Sequence, residues 1–390
     1  MKQKVSVMKV LLIDQIAKVN YKYSYSLANS VFEQGIDINM VIDKKEDNQM
    51  LKCPYTNMFN TDEKNISKVS KLINYYRSWK KILSMLDEGY DLIHIQWVIF
   101  SPLDYYFLKK IKKKNKKIVF TIHDILPFNK KCYDYPYYKK MYNLVDALII
   151  QTKDNINKFH ELFPDNHKKV DLVPHGHFLN FARVLDKECS RKELNMKNKF
   201  TFLFFGQIKD VKGVDILLEA YATLLRDNTD MREHTQLVIA GSVWKSDYSK
   251  CERIIEENKM GDSVIQKICY IPDDLVDVYY SASDVCVLPY KEVYQSGVLQ
   301  LTYAHQKAPI VTDIPAFLEI VDDEKGFICK ANDVESLAEA MKKAYDAKAE
   351  LGIMANKGYQ FVDERYNWSS IANKIIGIYT KMYAIEEKKL

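Results

Sequence analysis

Residues 200–220 read FTFLFFGQIKDVKGVDILLEA, and this stretch holds a whole strand, loop and helix. Phe200–Phe205 is short and apolar, as suits a strand buried on both faces of a parallel sheet. Gly206 lets the backbone turn tightly after it. Two cations, Lys209 and Lys212, follow in a polar loop, and Val214–Arg226 reads as a helix. The same unit recurs on both sides. Upstream, strands are predicted at 7–13, 38–42, 92–97, 118–122, 147–150 and 170–173, with helical patterns such as 25–32 and 66–86 between them. Downstream, strands are predicted at 237–240, 268–271, 285–288, 310–312 and 327–329. Helices are predicted at 248–257, 274–281, 298–305, 334–347 and 371–384. Alternating strands and helices imply doubly wound α/β domains with parallel sheets.

The 390 residues exceed one ordinary core, so two such domains are expected. The polar segment 179–199 lacks strong periodicity and marks the junction. The predicted domains are 1–180 and 181–365, with residues 366–390 as a C-terminal helix packing back on the first domain. A hydrophobic share of 47% and a charged share of 28% suit a soluble globular chain. No run of about 18 apolar residues is present, so no membrane-spanning helix is expected. The N-terminal MKQKVSVMKVLLID reads as a first strand and not as a signal peptide.

Seven cysteines (Cys53, Cys132, Cys189, Cys251, Cys269, Cys286 and Cys329) form no C-x-x-C pair. They read as buried free thiols in a reducing cytoplasm, with Cys269 and Cys286 inside strands. A net charge of +5 permits an anionic ligand or surface but demands neither.

Ligands of open parallel sheets bind at the C-terminal ends of the strands. Four candidate elements fall there. Gly206, Lys209 and Lys212 could neutralise a diphosphate; a solvated loop is the plain alternative. In LPYKEVYQSGVLQL, residues 288–301, a helix starts near Gly297, and its unpaired amides and dipole suit phosphate. Ser296 could merely cap that helix. His123 ends a strand in the first domain and could meet a sugar hydroxyl or a leaving-group oxygen. Its alternative is a structural histidine paired with Asp124. His175-Gly176-His177 follows another strand and reads first as a turn, with no carboxylate beside it to suggest a metal.

The run Lys109–Lys117 ends a helix beginning near Leu103, where lysines complement the dipole. With Tyr105, Tyr106 and Phe107 nearby, it could also meet anionic lipid headgroups at the inner face of the cell membrane. No nucleic-acid motif accompanies it, and no nucleic acid is expected as a partner.

Together these segments resemble the family-four retaining glycosyltransferases of the two-domain GT-B fold. Residues 204–220 are similar to the family's Gly-x-Ile-Arg/Lys…Lys-Gly loop. VIAGSV (238–243), YYSASDVCVLPY (279–290), KAPIVTDIPAFLEIV (307–321) and KGFICKANDVESLAEAM (325–341) resemble its later segments in the same order. The resemblance implies two Rossmann-like domains facing a cleft. It further implies a nucleotide-sugar donor and a glycan or lipid-linked acceptor, as in capsular or extracellular polysaccharide assembly.

On this resemblance Lys209 and Lys212 hold the donor diphosphate, and the amides of Gly297 and Val298 complete the cradle. His123 stands beside the donor sugar. Gly206 and Ser296 join the donor-binding set, and Glu319 supports loop structure.

The sequence departs from the family at one pair of positions. Many members carry two glutamates eight positions apart, and here those positions hold Tyr294 and Thr302. Glu292 could substitute for the first, and Thr302 occupies the second donor position. Lys18-Val19-Asn20-Tyr21 stands where a Gly-rich acceptor loop is common. No Asp-x-Asp occurs, so neither a metal nor any other cofactor is expected. The alternatives left open are a transferase-like partner subunit without catalysis and a sugar-nucleotide 2-epimerase.

Overall fold

A computed structural model describes residues 8–43, 49–59, 67–127, 129–293 and 296–387. Tyr294 and Gln295 lie outside the described residues, as do Val7 and Ile66 at the edges of two predicted elements. The chain divides into two compact units, Met1–Gly176 with Tyr366–Leu390, and His177–Arg365.

The first unit contains β1 (Lys9–Asp14), α1 (Ala17–Glu33), β2 (Asp37–Asp43), β3 (Tyr55–Phe59), α2 (Lys68–Met85) and β4 (Leu92–Ile95). Next come α3 (Ser101–Lys113), β5 (Lys117–Ile122), α4 (Asp134–Leu144), β6 (Ala147–Ile150), α5 (Lys153–Leu162) and β7 (Val170–Leu172). Its strands are parallel in the order β3-β2-β1-β4-β5-β6-β7. The central strands are buried along almost their whole length. That is why they read as continuous apolar runs and not as alternating ones.

The second unit opens with α6 (Lys187–Glu193), β8 (Phe200–Phe205), α7 (Val214–Asp227), α8 (Met231–His234), β9 (Thr235–Ala240), α9 (Ser249–Glu257) and β10 (Val264–Lys267). It continues with α10 (Asp273–Ala282), β11 (Val285–Leu288), α11 (Gly297–Ala304), β12 (Ala308–Thr312), α12 (Pro315–Leu318), β13 (Phe327–Cys329), α13 (Val334–Asp346) and α14 (Leu351–Tyr366). The order is β10-β9-β8-β11-β12-β13, again parallel. Both sheets reverse strand order beside their first strand, at β1/β4 and at β8/β11. Such switch points are where open α/β sheets take ligands.

The last helix, α15 (Trp368–Glu387), belongs to the first unit and packs on α1. Tyr379 reaches from it to His94 Nδ1 at 2.6 Å. The indole of Trp368 fills the space beside Gly176, where a Cβ would lie 2.3 Å from it. Gly176 is therefore small because Trp368 needs the room.

Three sequence expectations are corrected. Residues 268–271 are not a strand: β10 pairs with β9 from Val264↔Leu237 to Lys267↔Ala240, and β9 ends at Ala240. Tyr270 is 71% exposed just beyond it. Cys132, Cys189 and Cys269 are exposed, whereas Cys53, Cys251, Cys286 and Cys329 are the buried free thiols. The polar segment before β8 is structure of the second unit and not a plain linker. Arg191, on α6, donates to the Ala282 carbonyl at 3.0 Å, the Lys199 carbonyl at 2.8 Å and Asp284 at 2.9 Å. A buried guanidinium with this many acceptors locks α6 to the sheet.

Candidate functional site

The second unit brings two predicted loops together at its switch point. The loop after β8 and the loop after β11 touch through the Lys291 amide, which donates to the Val211 carbonyl at 2.9 Å. Lys212 Nζ lies 3.6 Å above the ring of Tyr290. Desolvated contact of this kind favours the ammonium by about 1–2 kcal/mol. Lys209 and Lys212 are half-buried. Gly206 has φ +119°, and a Cβ there would sit 3.3 Å from Val298, so the loop glycine abuts the start of α11.

A third loop joins them from β9. Ile208 donates to the Ser242 carbonyl at 2.9 Å, and Trp244 donates back to the Ile208 carbonyl at 3.0 Å. Gly241 lies directly over the Gly206 carbonyl.

Gly213 begins α7 in the left-handed region, at φ +65°. A Cβ on it would come 2.0 Å from the Pro289 carbonyl oxygen. Both the strain and the clash are with backbone, which cannot move cheaply. Gly213→Ala is expected to destabilise the protein by roughly 2–4 kcal/mol. A melting temperature within a degree or so of the native chain's would show that the loops are not locked in this way.

At the start of α11, Ser296 Oγ accepts from the Leu299 amide at 3.3 Å. The first two helical amides, Gly297 and Val298, have no intrahelical acceptor by the geometry of a helix start. Gly297 packs against Phe178, whose ring edge would be 3.1 Å from a Cβ. Glu292 is exposed, one residue beyond Lys291. Lys291 pairs with Asp215 at 3.2 Å, and Lys250 pairs with the same carboxylate at 2.9 Å. Thr302 is fully buried and donates to the Val298 carbonyl at 2.8 Å. It supports α11 from beneath and does not face the loops. Of the predicted donor set, Gly206 abuts Val298, Lys212 lies over Tyr290 and Ser296 caps the helix that Gly297 and Val298 open, while Glu292 is exposed and Thr302 points into the core.

In the first unit, His123 directly follows β5 and is buried. Its Nε2 lies 3.0 Å from Gln96 Oε1, and Gln151 Nε2 lies 3.4 Å from its Nδ1. A carboxamide oxygen accepts, so Nε2 carries the proton and Nδ1 accepts. Burial holds the imidazole's pKa well below the usual value, with His175 and His94 adding to the effect. Trp97 stacks on one face of the ring, 4.6 Å away at 11°, and Tyr23 meets it edge-on at 4.9 Å. The polar chain continues from Gln96 Nε2 to His94 Nε2 at 3.1 Å, and from His94 to Tyr379 on α15. Burial drives His94 down to about 3.

Sequence reading missed Gln15, Gln96 and Gln151. Each is the first residue after a central strand, β1, β4 or β6, as His123 is after β5. A polar side chain directly after an apolar run is the signal that would have found them. His175 donates from Nδ1 to the Gly176 carbonyl at 2.6 Å, and burial lowers its pKa to about 4. His177, in the second unit, lies 3.5 Å from Asp363.

At the end of β1, burial raises the Asp14 carboxyl from 3.8 to about 6, against hydrogen bonds from Ser24 and the Ile16 amide that lower it. The folded state therefore binds this proton more tightly than the unfolded one. Its contribution is fully present below about pH 4 and is lost as pH rises through about 6, amounting to about 3 kcal/mol. Asp14→Asn is expected to raise the melting temperature relative to the native chain near pH 8 by more than near pH 4. An equal difference at both pH values would refute the raised pKa.

Two family models match, one to each half of the chain. Residues 22–179 match the model described as Glycosyltransferase Family 4. Residues 186–361 match that described as Glycosyl transferases group 1. A D-inositol 3-phosphate glycosyltransferase from Geodermatophilus obscurus is 24% identical over 242 residues, covering 60% of this chain and 52% of its own. The chain thus spans about half the length of the curated relatives it matches first. Among solved structures, sucrose-phosphate synthase from Thermosynechococcus elongatus superposes with a TM-score of 0.75 at 17% identity, covering 97% of this chain and 100% of that one. The Anabaena protein HepE in complex with UDP and glucose gives a TM-score of 0.72 at 15% identity, covering 96% and 100%. With two parallel-sheet α/β units and a family match in each, the chain belongs with the group 1/family 4 glycosyltransferases of GT-B fold.

Proposed function

We propose that this protein transfers a sugar from a nucleoside-diphosphate donor to a glycan or lipid-linked acceptor, with retention at the anomeric carbon, in cell-surface polysaccharide assembly. The observation that carries this reading is the junction of the β8–α7 loop with the start of α11. It sets Gly206 against Val298 and Lys212 over Tyr290. A departing diphosphate gains negative charge as the glycosidic bond breaks. Fixed ammonium groups and helix amides aimed at that charge lower the barrier more than they strengthen ground-state binding.

On this reading Lys209, Lys212 and the amides of Gly297 and Val298 serve the diphosphate, with Ser296 holding the helix start. His123, neutral at physiological pH, serves the sugar as a hydrogen-bonding group. The leaving phosphate takes the acceptor proton, so no protein nucleophile is needed. Without an Asp-x-Asp sequence, the reading gives no part to a metal ion. The UDP-bound HepE supports a nucleotide-sugar donor.

The test is a thermal-shift screen over UDP-, GDP- and ADP-sugars, followed by assay of transfer with the sugar that shifts. One nucleotide class is expected to raise the melting temperature. Silence across all three classes would overturn the proposal and favour a partner subunit without catalysis.

A further inference from the structure

We infer that Tyr379 on α15 and His94 on β4 are positioning residues for His123: acting through Gln96, they decide which of its two ring nitrogens carries the proton. The inference rests on the reading of His123 as the group that serves the sugar, and adds to it a determinant from the last helix of the first unit.

Packing alone does not explain a histidine at position 94. Strand β4 reads Leu92-Ile93-His94-Ile95 and is buried throughout. The centre of a parallel sheet is normally apolar. An imidazole buried there costs free energy unless its polar atoms find partners. Both nitrogens do. Nδ1 lies 2.6 Å from the Tyr379 hydroxyl, and Nε2 lies 2.7 Å from the Thr121 hydroxyl and 3.1 Å from Gln96 Nε2. All four side chains are buried, so bulk solvent does not set their roles.

Donor and acceptor roles follow from one another along this chain. The Gln96 carboxamide bridges two imidazoles, its oxygen on His123 Nε2 and its nitrogen on His94 Nε2. An amide NH2 can only donate, so His94 Nε2 is bare. Burial keeps His94 neutral, so its single proton sits on Nδ1 and is donated to the Tyr379 oxygen. The Thr121 hydroxyl can donate or accept and adapts to either arrangement. Without the Tyr379 oxygen, the Nδ1 proton would lose its acceptor in the core. His94 gains by carrying the proton on Nε2 instead, where Thr121 and a turned-over Gln96 can accept it. The Gln96 NH2 group then faces His123 Nε2, and His123 must take the Nδ1–H tautomer. Holding an imidazole in one tautomer is a recognised way for a residue to act through its neighbour.

The Tyr379 hydroxyl is not what seats the helix. Ile371, Ala372, Ile375 and Ile378 supply a buried apolar face of α15. Gln34 adds a hydrogen bond from α1 to the Ser369 carbonyl at 2.9 Å.

The test is nitrogen-15 NMR of the full chain with labelled histidine, which separates a protonated ring nitrogen from a bare one. It compares the native chain with Tyr379→Phe and His94→Phe. Both substitutions keep a ring in place, and melting temperatures check the fold. Native His123 is expected as the Nε2–H tautomer and Tyr379→Phe as the Nδ1–H tautomer. His94→Phe leaves the Gln96 carboxamide without its second imidazole and should give a mixture. In transfer assays Tyr379→Phe should lower kcat roughly 10- to 100-fold with the donor KM unchanged. A native His123 protonated on Nδ1, or a tautomer unchanged in both variants, would overturn the relay. A changed tautomer with native kcat would uphold the relay and overturn the sugar role of His123, so the two readings fail separately.

Discussion

Lys212→Ala is expected to lower turnover by roughly 30- to 1000-fold, about 2–4 kcal/mol of barrier, with the fold intact. The side chain is held over Tyr290, in the loop that leads into α11, so its charge is fixed before the donor arrives. A charge already in place needs no reorganisation as the diphosphate departs. Its effect should fall on kcat more than on KM, because the leaving group's charge develops only as the bond breaks. Lys212→Arg, which keeps the charge but changes its shape, should recover part of the rate. Steady-state kinetics with the donor found by thermal shift would check this. A Lys212→Ala enzyme with near-native rates would remove the residue from catalysis.

His123→Ala is expected to abolish transfer, by roughly 100-fold or more, while nucleoside-diphosphate affinity stays unchanged. The separation follows from structure: His123 sits in the first unit, whereas the lysines and α11 sit in the second. Gln96 and Gln151 fix the ring as a neutral donor at Nε2, and burial keeps it from protonating. Its contribution should therefore be flat between about pH 6 and pH 8, where an ordinary imidazole would titrate. His123→Gln keeps a polar partner for Gln96 and separates loss of chemistry from loss of fold. Calorimetry with UDP or GDP would decide. Lost nucleotide binding would reassign His123 to the scaffold.

The parallel architecture was legible because both-face burial writes central strands as unbroken apolar runs. Phe200–Phe205, Ala147–Ile150 and Val285–Leu288 appear in the structure as predicted. Edge strands were harder to read. Tyr55–Phe59 is half exposed and mixed in polarity, and the apolar run at 268–271 begins one residue after the edge strand has ended. Helix α6 escaped because Lys187–Glu193 is polar throughout; the buried Arg191 network holds it, a contact made across more than ninety residues of chain.

The same logic governs the site. Gly206, Lys209, Lys212 and Gly297 could be picked out because each follows a strand end or opens a helix. Thr302 could not be judged from its position in a motif, since only packing shows its hydroxyl turned back to Val298. Nor could spacing reveal that Gly213 is required by a carbonyl 76 residues further along the chain, that of Pro289. Gln96 and Gln151 belong to the same class of long-range partners. They were visible as residues but not as the pair that sets the protonation of His123.

The most direct measurement is a crystal structure with the nucleoside diphosphate that the thermal screen selects. The phosphates should lie within hydrogen-bond distance of the Gly297 and Val298 amides, with the Lys209 and Lys212 ammonium groups turned onto their oxygens. Phosphates bound away from the start of α11, or both ammonium groups turned from them, would contradict the account.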